Sequence, residues 1–210
     1  MIVNGFISGL IALLIGYLLG SFPTAYLFTR WKTGKDIRKL GGGNVGGLNT
    51  FKEVGLWVAI AVTLIDIAKG AAVIAITYYA LNLDKPYVLI SAVGAVVGHN
   101  WMPWLKFSGG KGMGATVGVL VMIMPIYGYL MELAIFAGIV VVPLLLTRNV
   151  ALSMGLGLVA LPFLGWLSMH DGYFVTWSLV SGIIIAIKFA STAIGVIAKS
   201  TSIRDFIKGH

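Results

Sequence analysis

Long apolar runs separated by short polar segments make up most of this chain. Each run is close in length to the roughly 20 apolar residues that a membrane-spanning helix needs. The pattern predicts seven helices, at about 3–29, 55–80, 87–104, 113–130, 132–147, 150–168 and 173–198. Because these runs fill the chain, we expect an all-α, polytopic membrane protein that forms one domain over 1–210. Near Glu132 one long tilted helix or a re-entrant hairpin is an alternative to two separate spans.

Composition supports a membrane protein. Of the 210 residues 59% are hydrophobic and 10% are charged, whereas soluble domains carry about 25% charged residues. The first basic residue is Arg30, so the opening run lacks the positive start of a signal peptide and is expected to remain as the first span. The chain has no cysteine, which excludes disulfides and thiol catalysis.

The basic residues predict the orientation in the membrane. With seven spans, one side receives twelve of the fifteen lysines and arginines and the other side receives only Lys85, while Lys69 and Lys188 lie within spans. The positive-inside rule then places the N-terminus outside and the tail in the cytoplasm. The net charge of +8 is explained by this topology and by anionic headgroups, so no nucleic-acid partner is expected. The twelve are Arg30, Lys32, Lys35, Arg38, Lys39, Lys52, Lys106, Lys111, Arg148, Lys199, Arg204 and Lys208.

Two glycine loops fall on this basic side. Residues 39–49 combine glycines with Asn44 and Asn49. Residues 107–112 end in the run Gly109-Gly110-Lys111-Gly112. Free backbone N–H groups beside a lysine form a pocket for an anion such as phosphate. A short polar turn around Arg148 lies on the same side, so three polar elements are expected to converge.

Charged residues within the apolar runs are further candidates, because each costs roughly 2.5–3.5 kcal/mol at mid-bilayer. Asp66 and Lys69 lie on one helix face, either as a self-neutralising ion pair or with Asp66 oriented toward the basic loops. His99 is a candidate general base, with a structural histidine as the alternative. Glu132 and Asp171 are interpreted as solvated residues at the outer ends of helices. Glycines within the runs are expected to allow close helix packing: Gly16, Gly20, Gly155 and Gly157.

No metal-ligand spacing, nucleotide fingerprint or nucleophile elbow occurs in the sequence, so no metal and no cofactor are expected. The pattern favours direct attack of one substrate on another, with the protein supplying position and charge stabilisation.

The motifs resemble the bacterial acyl-phosphate:glycerol-3-phosphate acyltransferases, the PlsY family. The resemblance covers most of the chain and is carried by segments 19–23, 36–39, 43–49, 66–70 and 98–112. The last of these contains Gly98-His99 and, after a fixed interval, Phe107-Ser108-Gly109-Gly110-Lys111-Gly112. Members are seven-helix inner-membrane enzymes with cytoplasmic active sites. The resemblance implies transfer of a fatty acyl group from acyl phosphate to the 1-hydroxyl of glycerol 3-phosphate, giving lysophosphatidate and phosphate.

The resemblance also implies roles for individual residues. Lys111 and the backbone of Gly109, Gly110 and Gly112 would hold one phosphate, and His99 would act as the base or hold the loop. The first loop would bind the second phosphate or the developing oxyanion, through Asn44, Asn49, Gly43 and Gly46, with charge added by Lys52. Arg148 and Ser153 would complete the substrate site. A functional link to the enzyme that produces acyl phosphate is also expected.

The chain departs from the family pattern in three places. Gly42, Gly47 and Leu48 stand where the family has serine, alanine and threonine, and Ala151 and Ser153 keep one hydroxyl of a serine-rich segment. Lys188 to Ser191 replace a His-Arg-x-Asn pattern in the last helix. These departures leave open another acceptor, a different donor or no catalysis, as in a silent or repurposed relative that binds phospholipid or acyl phosphate. A small transporter or anion channel of unrelated mechanism is a separate alternative.

Overall fold

The computed structural model describes residues 2–197, with side chains described for residues 5–191. In this part of the chain the fold is all-helical, as the sequence predicts. Nine α-helices follow one another: α1 (Ile2–Gly20), α2 (Thr24–Thr33), α3 (Gly47–Glu53), α4 (Leu56–Ala75), α5 (Lys85–Asn100), α6 (Met113–Ile126), α7 (Leu130–Thr147), α8 (Val150–Leu167) and α9 (Gly172–Ile197). The basic tail at 199–210 lies outside the described residues.

The first predicted helix, at 3–29, is wrong as a single element. Helix α1 ends at Gly20, and α2 begins only at Thr24. The break contains Pro23, which has no N–H to donate and whose ring cannot pack against the preceding turn of a continuous helix. The carbonyl oxygen of Phe22, within the break, accepts the N–H of Thr24 at 3.0 Å and a hydrogen bond from Lys69 of α4 at 3.2 Å.

Near Glu132 the structure has two separate helices, so the alternative of one long helix is wrong; two spans, with a re-entrant hairpin as the alternative, stay a prediction. Helix α6 ends at Ile126 and α7 begins at Leu130, with Gly128 at a φ of +83° in the turn between them. Five helical segments of the described chain are long and apolar enough to cross a membrane, whereas α6 has only 14 residues. The protein is therefore a multi-pass membrane protein. The count of seven spans and the orientation stay predictions.

Glycines bring α1 and α5 into backbone contact. A Cβ at Gly16 or Gly20 would overlap the backbone of Ser91 or Ala95, so the predicted role of these two glycines is confirmed. Gly157 likewise packs against Phe136 and Val140 of α7. Gly155 does not fit the prediction, because a Cβ there would meet nothing within 4 Å.

Polar side chains tie the helices together at the end of the bundle away from the glycine loops. Glu132 is only 9% exposed and accepts a hydrogen bond from Ser168 at 2.6 Å. Asp171 is only 8% exposed; it forms an ion pair with Lys85 and accepts a hydrogen bond from Tyr129 at 3.2 Å. The interpretation of Glu132 and Asp171 as solvated residues was therefore wrong, since both carboxylates join separate helices within the protein.

Candidate active site

The first glycine loop, predicted at 39–49, spans residues 34–46 between α2 and α3 and is held in shape by Asn49. This residue lies in the first turn of α3, is 7% exposed, and its side-chain nitrogen donates to the carbonyl oxygens of Leu40 (3.1 Å) and Asn44 (3.0 Å). Gly43 has a φ of +71°, a left-handed conformation that favours glycine. Because the amide nitrogen of Asn49 is engaged within the loop, this residue shapes the loop. Its contact with substrate stays a prediction.

Arg38 joins the first loop to the segment that precedes the second loop, a role that the sequence did not indicate. Its guanidinium forms an ion pair with Asp36 (2.6 Å), donates to the carbonyl oxygen of Leu105 (3.1 Å) and lies 5.4 Å from the ring centre of Tyr26. The hydrogen bond from Arg38 holds the pKa of the Asp36 carboxyl below its ordinary value. An aspartate and an arginine two residues apart, just before a glycine run, were the available signal.

The second glycine loop, residues 107–112, packs on the first loop and on the end of α5. The N–H of Val45 donates to the carbonyl oxygen of Gly109 at 3.4 Å, and the N–H of Gly110 donates to the carbonyl oxygen of His99 at 3.0 Å. A Cβ at Gly110 would overlap the imidazole of His99 and lie 2.7 Å from the carbonyl oxygen of Val45. The two glycine loops therefore converge, and glycine is required at Gly110 by this close approach.

A buried group of ionisable residues lies behind the second loop. Lys69 and Asp66 form an ion pair at 2.8 Å, and the Nδ1 atom of His99 lies 3.7 Å from the same carboxylate oxygen. Each of the three residues is less than 10% exposed. Asp66 and Lys69 therefore form the predicted ion pair, and Asp66 also faces the histidine that supports the second loop.

Lys111 lies on the other side of the loop and is only partly buried. Its ammonium lies 4.0 Å from the ring centre of Phe189 in α9, a cation–π contact. Burial lowers the pKa of the Lys111 ammonium from its ordinary value. The second loop therefore presents a positive charge at the N-terminal end of α6, beside α9.

An apolar groove begins beside Lys111. It has a volume of about 760 Å³, runs between α8 and α9, and includes Met113 and Phe189 at the end near the loop. Along α8 it extends from Ala151 to Trp166, which corresponds to about 22 Å of helix. The site thus combines a cationic, glycine-rich head with a long apolar groove, an arrangement that suits an amphiphile with an anionic headgroup.

Comparison with known proteins identifies the family. The family model described as glycerol-3-phosphate acyltransferase matches residues 10–208. The chain belongs to the glycerol-3-phosphate acyltransferase family. It is 48% identical to glycerol-3-phosphate acyltransferase 1 of Dehalococcoides mccartyi over 85% of this chain and 86% of that protein. It is 38% identical to a glycerol-3-phosphate acyltransferase of a Synechococcus species, over 85% of each chain.

The fold of this glycerol-3-phosphate acyltransferase family member matches a solved structure. The crystal structure of PlsY (YgiH), described as an integral membrane glycerol 3-phosphate acyltransferase in its glycerol 3-phosphate form, superposes with a TM-score of 0.75. The match covers 91% of this chain and 92% of that one at 24% identity. It confirms the helical membrane fold that the sequence predicts.

Three predicted site residues of this family member are not brought to the glycine loops by any described hydrogen bond or ion pair. Lys52 is exposed on α3, and Arg148 is exposed at the turn between α7 and α8. The hydroxyl of Ser153 is buried and donates to the carbonyl oxygen of Asn149 at 2.9 Å, within its own helix. Their roles stay predictions. In the described residues no group of three or more His, Cys, Asp or Glu side chains could hold a metal.

Two asparagine side chains, one in the first loop and one next to the second, have polar atoms without hydrogen-bond partners among the described residues. The Oδ1 atom of Asn44 and both polar side-chain atoms of Asn100 are buried without a hydrogen-bond partner among the described residues. The sequence indicated Asn44 through its place among glycines. It did not indicate Asn100, since an asparagine at the end of an apolar helix has no pattern that marks it.

Proposed function

We propose that this protein transfers a fatty acyl group from acyl phosphate to the 1-hydroxyl of glycerol 3-phosphate. The observation that carries the proposal is the junction of the cationic glycine loops with the apolar groove at Lys111 and Phe189. Both substrates are phosphorylated and one has a long apolar chain, so the site needs both features. Membership of the family supports this choice over a silent relative or a transporter.

In the proposed reaction the 1-hydroxyl oxygen of glycerol 3-phosphate attacks the acyl carbonyl carbon. The new ester bond forms as the bond from the carbonyl carbon to the phosphate oxygen breaks, and the hydroxyl proton leaves with the phosphate. The products are lysophosphatidate and inorganic phosphate. Lys111 and the N-terminal N–H groups of α6 are placed to hold a phosphate and to stabilise the charge on the leaving group.

His99 is proposed to hold the second loop and not to act as the base. Its carbonyl oxygen accepts the N–H of Gly110, its ring packs under that glycine, and its Nδ1 atom faces Asp66. The residue is 3% exposed, which places it behind the glycine loop. Among the alternatives that the sequence leaves open for His99, the geometry supports the loop-holding role.

The groove between α8 and α9 is proposed to orient the acyl chain. An extended chain advances about 1.2 Å per bond, as three bonds of an extended peptide span about 3.6 Å. A 16-carbon chain then needs about 18 Å, which the groove along α8 accommodates. Because the surrounding lipid is as apolar as the groove, the transfer gains little hydrophobic free energy. The groove therefore contributes position more than affinity.

We further propose that the site faces the cytoplasm and that 1–210 forms one domain. The excess of lysines and arginines on the side of the glycine loops supports this orientation. A cytoplasmic site would receive a donor made in the cytoplasm, in keeping with the expected link to the enzyme that produces acyl phosphate. A cysteine introduced at Ser108 tests the orientation, because impermeant thiol reagents should label it only from the cytoplasmic side.

The activity is tested with purified protein in lipid nanodiscs. Given palmitoyl phosphate, the protein should release phosphate only when glycerol 3-phosphate is added, and lysophosphatidate should form in equal amount. Lys111→Ala should reduce turnover strongly, whereas Lys106→Ala, which alters an exposed lysine of the same connection, should not. Binding of both substrates without turnover would reject the proposed activity in favour of the silent relative.

A further inference from the structure

We propose that the side-chain amide of Asn100 binds a phosphoryl oxygen of the substrate at the N-terminus of α6. This inference rests on the proposed function, and nothing in the family resemblance assigns a role to this residue. Asn100 is the last residue of α5 and is 0% exposed. Neither its Oδ1 nor its Nδ2 atom has a hydrogen-bond partner among the described residues, and no other side chain there has two such atoms.

A buried amide without a protein partner is a candidate for ligand binding. Buried polar groups in proteins are nearly always hydrogen-bonded, because an unsatisfied donor or acceptor destabilises the fold. A leucine has nearly the shape of asparagine and would fill the same space without that penalty. Apolar side chains are at hand, since both Val96 and Ile185 lie within 3.4 Å of a Cβ built on neighbouring Gly112. The amide is therefore explained better by binding than by packing.

The position of Asn100 indicates what the ligand is. A Cβ built on Gly112 would lie 2.9 Å from the Oδ1 atom of Asn100, so the amide lies against the residue that caps α6. Helix α6 has 14 residues, and the free N–H groups and dipole at its N-terminus attract an anion. Lys111, which precedes the cap, adds a positive charge. The amide nitrogen of Asn100 then supplies a further, buried donor to the same phosphoryl group.

The phosphoryl group has two possible sources, acyl phosphate and glycerol 3-phosphate. Steady-state kinetics separate them, because loss of a donor raises the KM of the substrate whose phosphate it binds. Two variants keep the size of the side chain: Asn100→Leu removes both polar atoms, and Asn100→Asp replaces the donor with a negative charge. Asn82→Asp, the same exchange at an exposed residue between α4 and α5, is the matched control.

We expect Asn100→Leu to keep or raise Tm in detergent. It should raise the KM of one phosphorylated substrate about tenfold or more, because one charge-assisted hydrogen bond to that substrate is lost. Asn100→Asp should raise that KM further, and Asn82→Asp should change neither KM. The rise in Tm on adding inorganic phosphate should shrink in both Asn100 variants. This last measurement needs no turnover, so it tests Asn100 even if the proposed reaction fails.

Two results would overturn the assignment. One is an Asn100→Leu variant with wild-type KM for both substrates and an unchanged response of Tm to phosphate, which would show that the amide does not bind a phosphoryl group. The other is a fall in Tm with a matching fall in active protein and unchanged KM, which would show that Asn100 only packs. In either case the wild-type protein, assayed alongside, reports separately on the proposed reaction.

Discussion

Gly110→Ala is the substitution whose effect the structure defines most sharply. Gly110 connects the two loops to the buried group of Asp66, Lys69 and His99, because its N–H donates to the carbonyl oxygen of His99 and its α-carbon faces both the imidazole and the backbone of Val45. The φ of Gly110 is not in the left-handed region. The added methyl group therefore acts through steric overlap alone, and backbone strain does not enter.

The size of the effect follows from the contacts of that methyl group. It would overlap the Nε2 atom of His99 and lie 2.9 Å from the Cδ2 atom of the ring and 2.7 Å from the carbonyl oxygen of Val45. Ordinary van der Waals contact begins at 3.4 Å, so the loop must move by about 1 Å to relieve the overlap. A misplacement of about 1 Å in an active site can lower the catalytic rate about 100-fold. Overpacking should also destabilise the fold by about 1–3 kcal/mol.

The assay is phosphate release from palmitoyl phosphate in nanodiscs, with turnover normalised to folded protein. Gly42→Ala is the matched control in the first loop, because a Cβ there would meet nothing within 4 Å and its φ is not positive. We expect a loss of about two orders of magnitude for Gly110→Ala and wild-type turnover for the control. Wild-type turnover in both variants would refute the claim that the loop must sit close to His99.

Three further predictions concern stability. Asp66→Asn leaves the ammonium of Lys69 buried without its counter-ion and should cost about 3–5 kcal/mol in detergent unfolding, part of which a second change, Lys69→Met, should restore. Gly16→Val pushes α1 away from α5 and should lower the free energy of unfolding by about 1–3 kcal/mol; an unchanged Tm would contradict the backbone contact. The pKa of Asp36 is lowered by Arg38. The ion pair of Asp36 with Arg38 therefore contributes fully to the free energy of unfolding at neutral pH, and this contribution is lost as pH falls below about 4. Arg38→Met should remove that acid transition, as followed by proteolysis of the first loop.

The sequence predicted the helices well because apolar runs and polar breaks are local signals. The break after Gly20 is the main exception. The run from residue 3 to 29 contains no charged residue, and hydropathy alone does not register a proline. Pro23 is the local signal of the break, because proline cannot continue a helix. The break also lets the carbonyl oxygen of Phe22 bind Lys69, a residue 47 positions later in the chain, which no local pattern indicates.

The candidate site was predictable only as far as its chemistry is local. Glycines next to lysines and asparagines mark the two loops, and their convergence followed from the expected topology. The buried pair of Asp66 with Lys69 followed from helical spacing. The approach of Asp66 to His99 and the burial of the Asn100 amide without a hydrogen-bond partner are tertiary facts, since each depends on how α4, α5 and α6 pack. Burial of Glu132 and Asp171 was missed for the same reason.

The departures of the first loop from the family pattern lie where the structure tolerates them. Gly42 faces open space, and Leu48 is 45% exposed, so neither change alters a contact that shapes the loop. At Gly47 a Cβ would overlap the hydroxyl of Thr63 in α4, so the alanine that the family has there would not fit against this threonine. Position 47 and position 63 are therefore coupled, although 16 residues separate them. The residues that fix the loop, Asn49 and Arg38, are retained, which explains why the chain keeps the loop geometry without the family's hydroxyls.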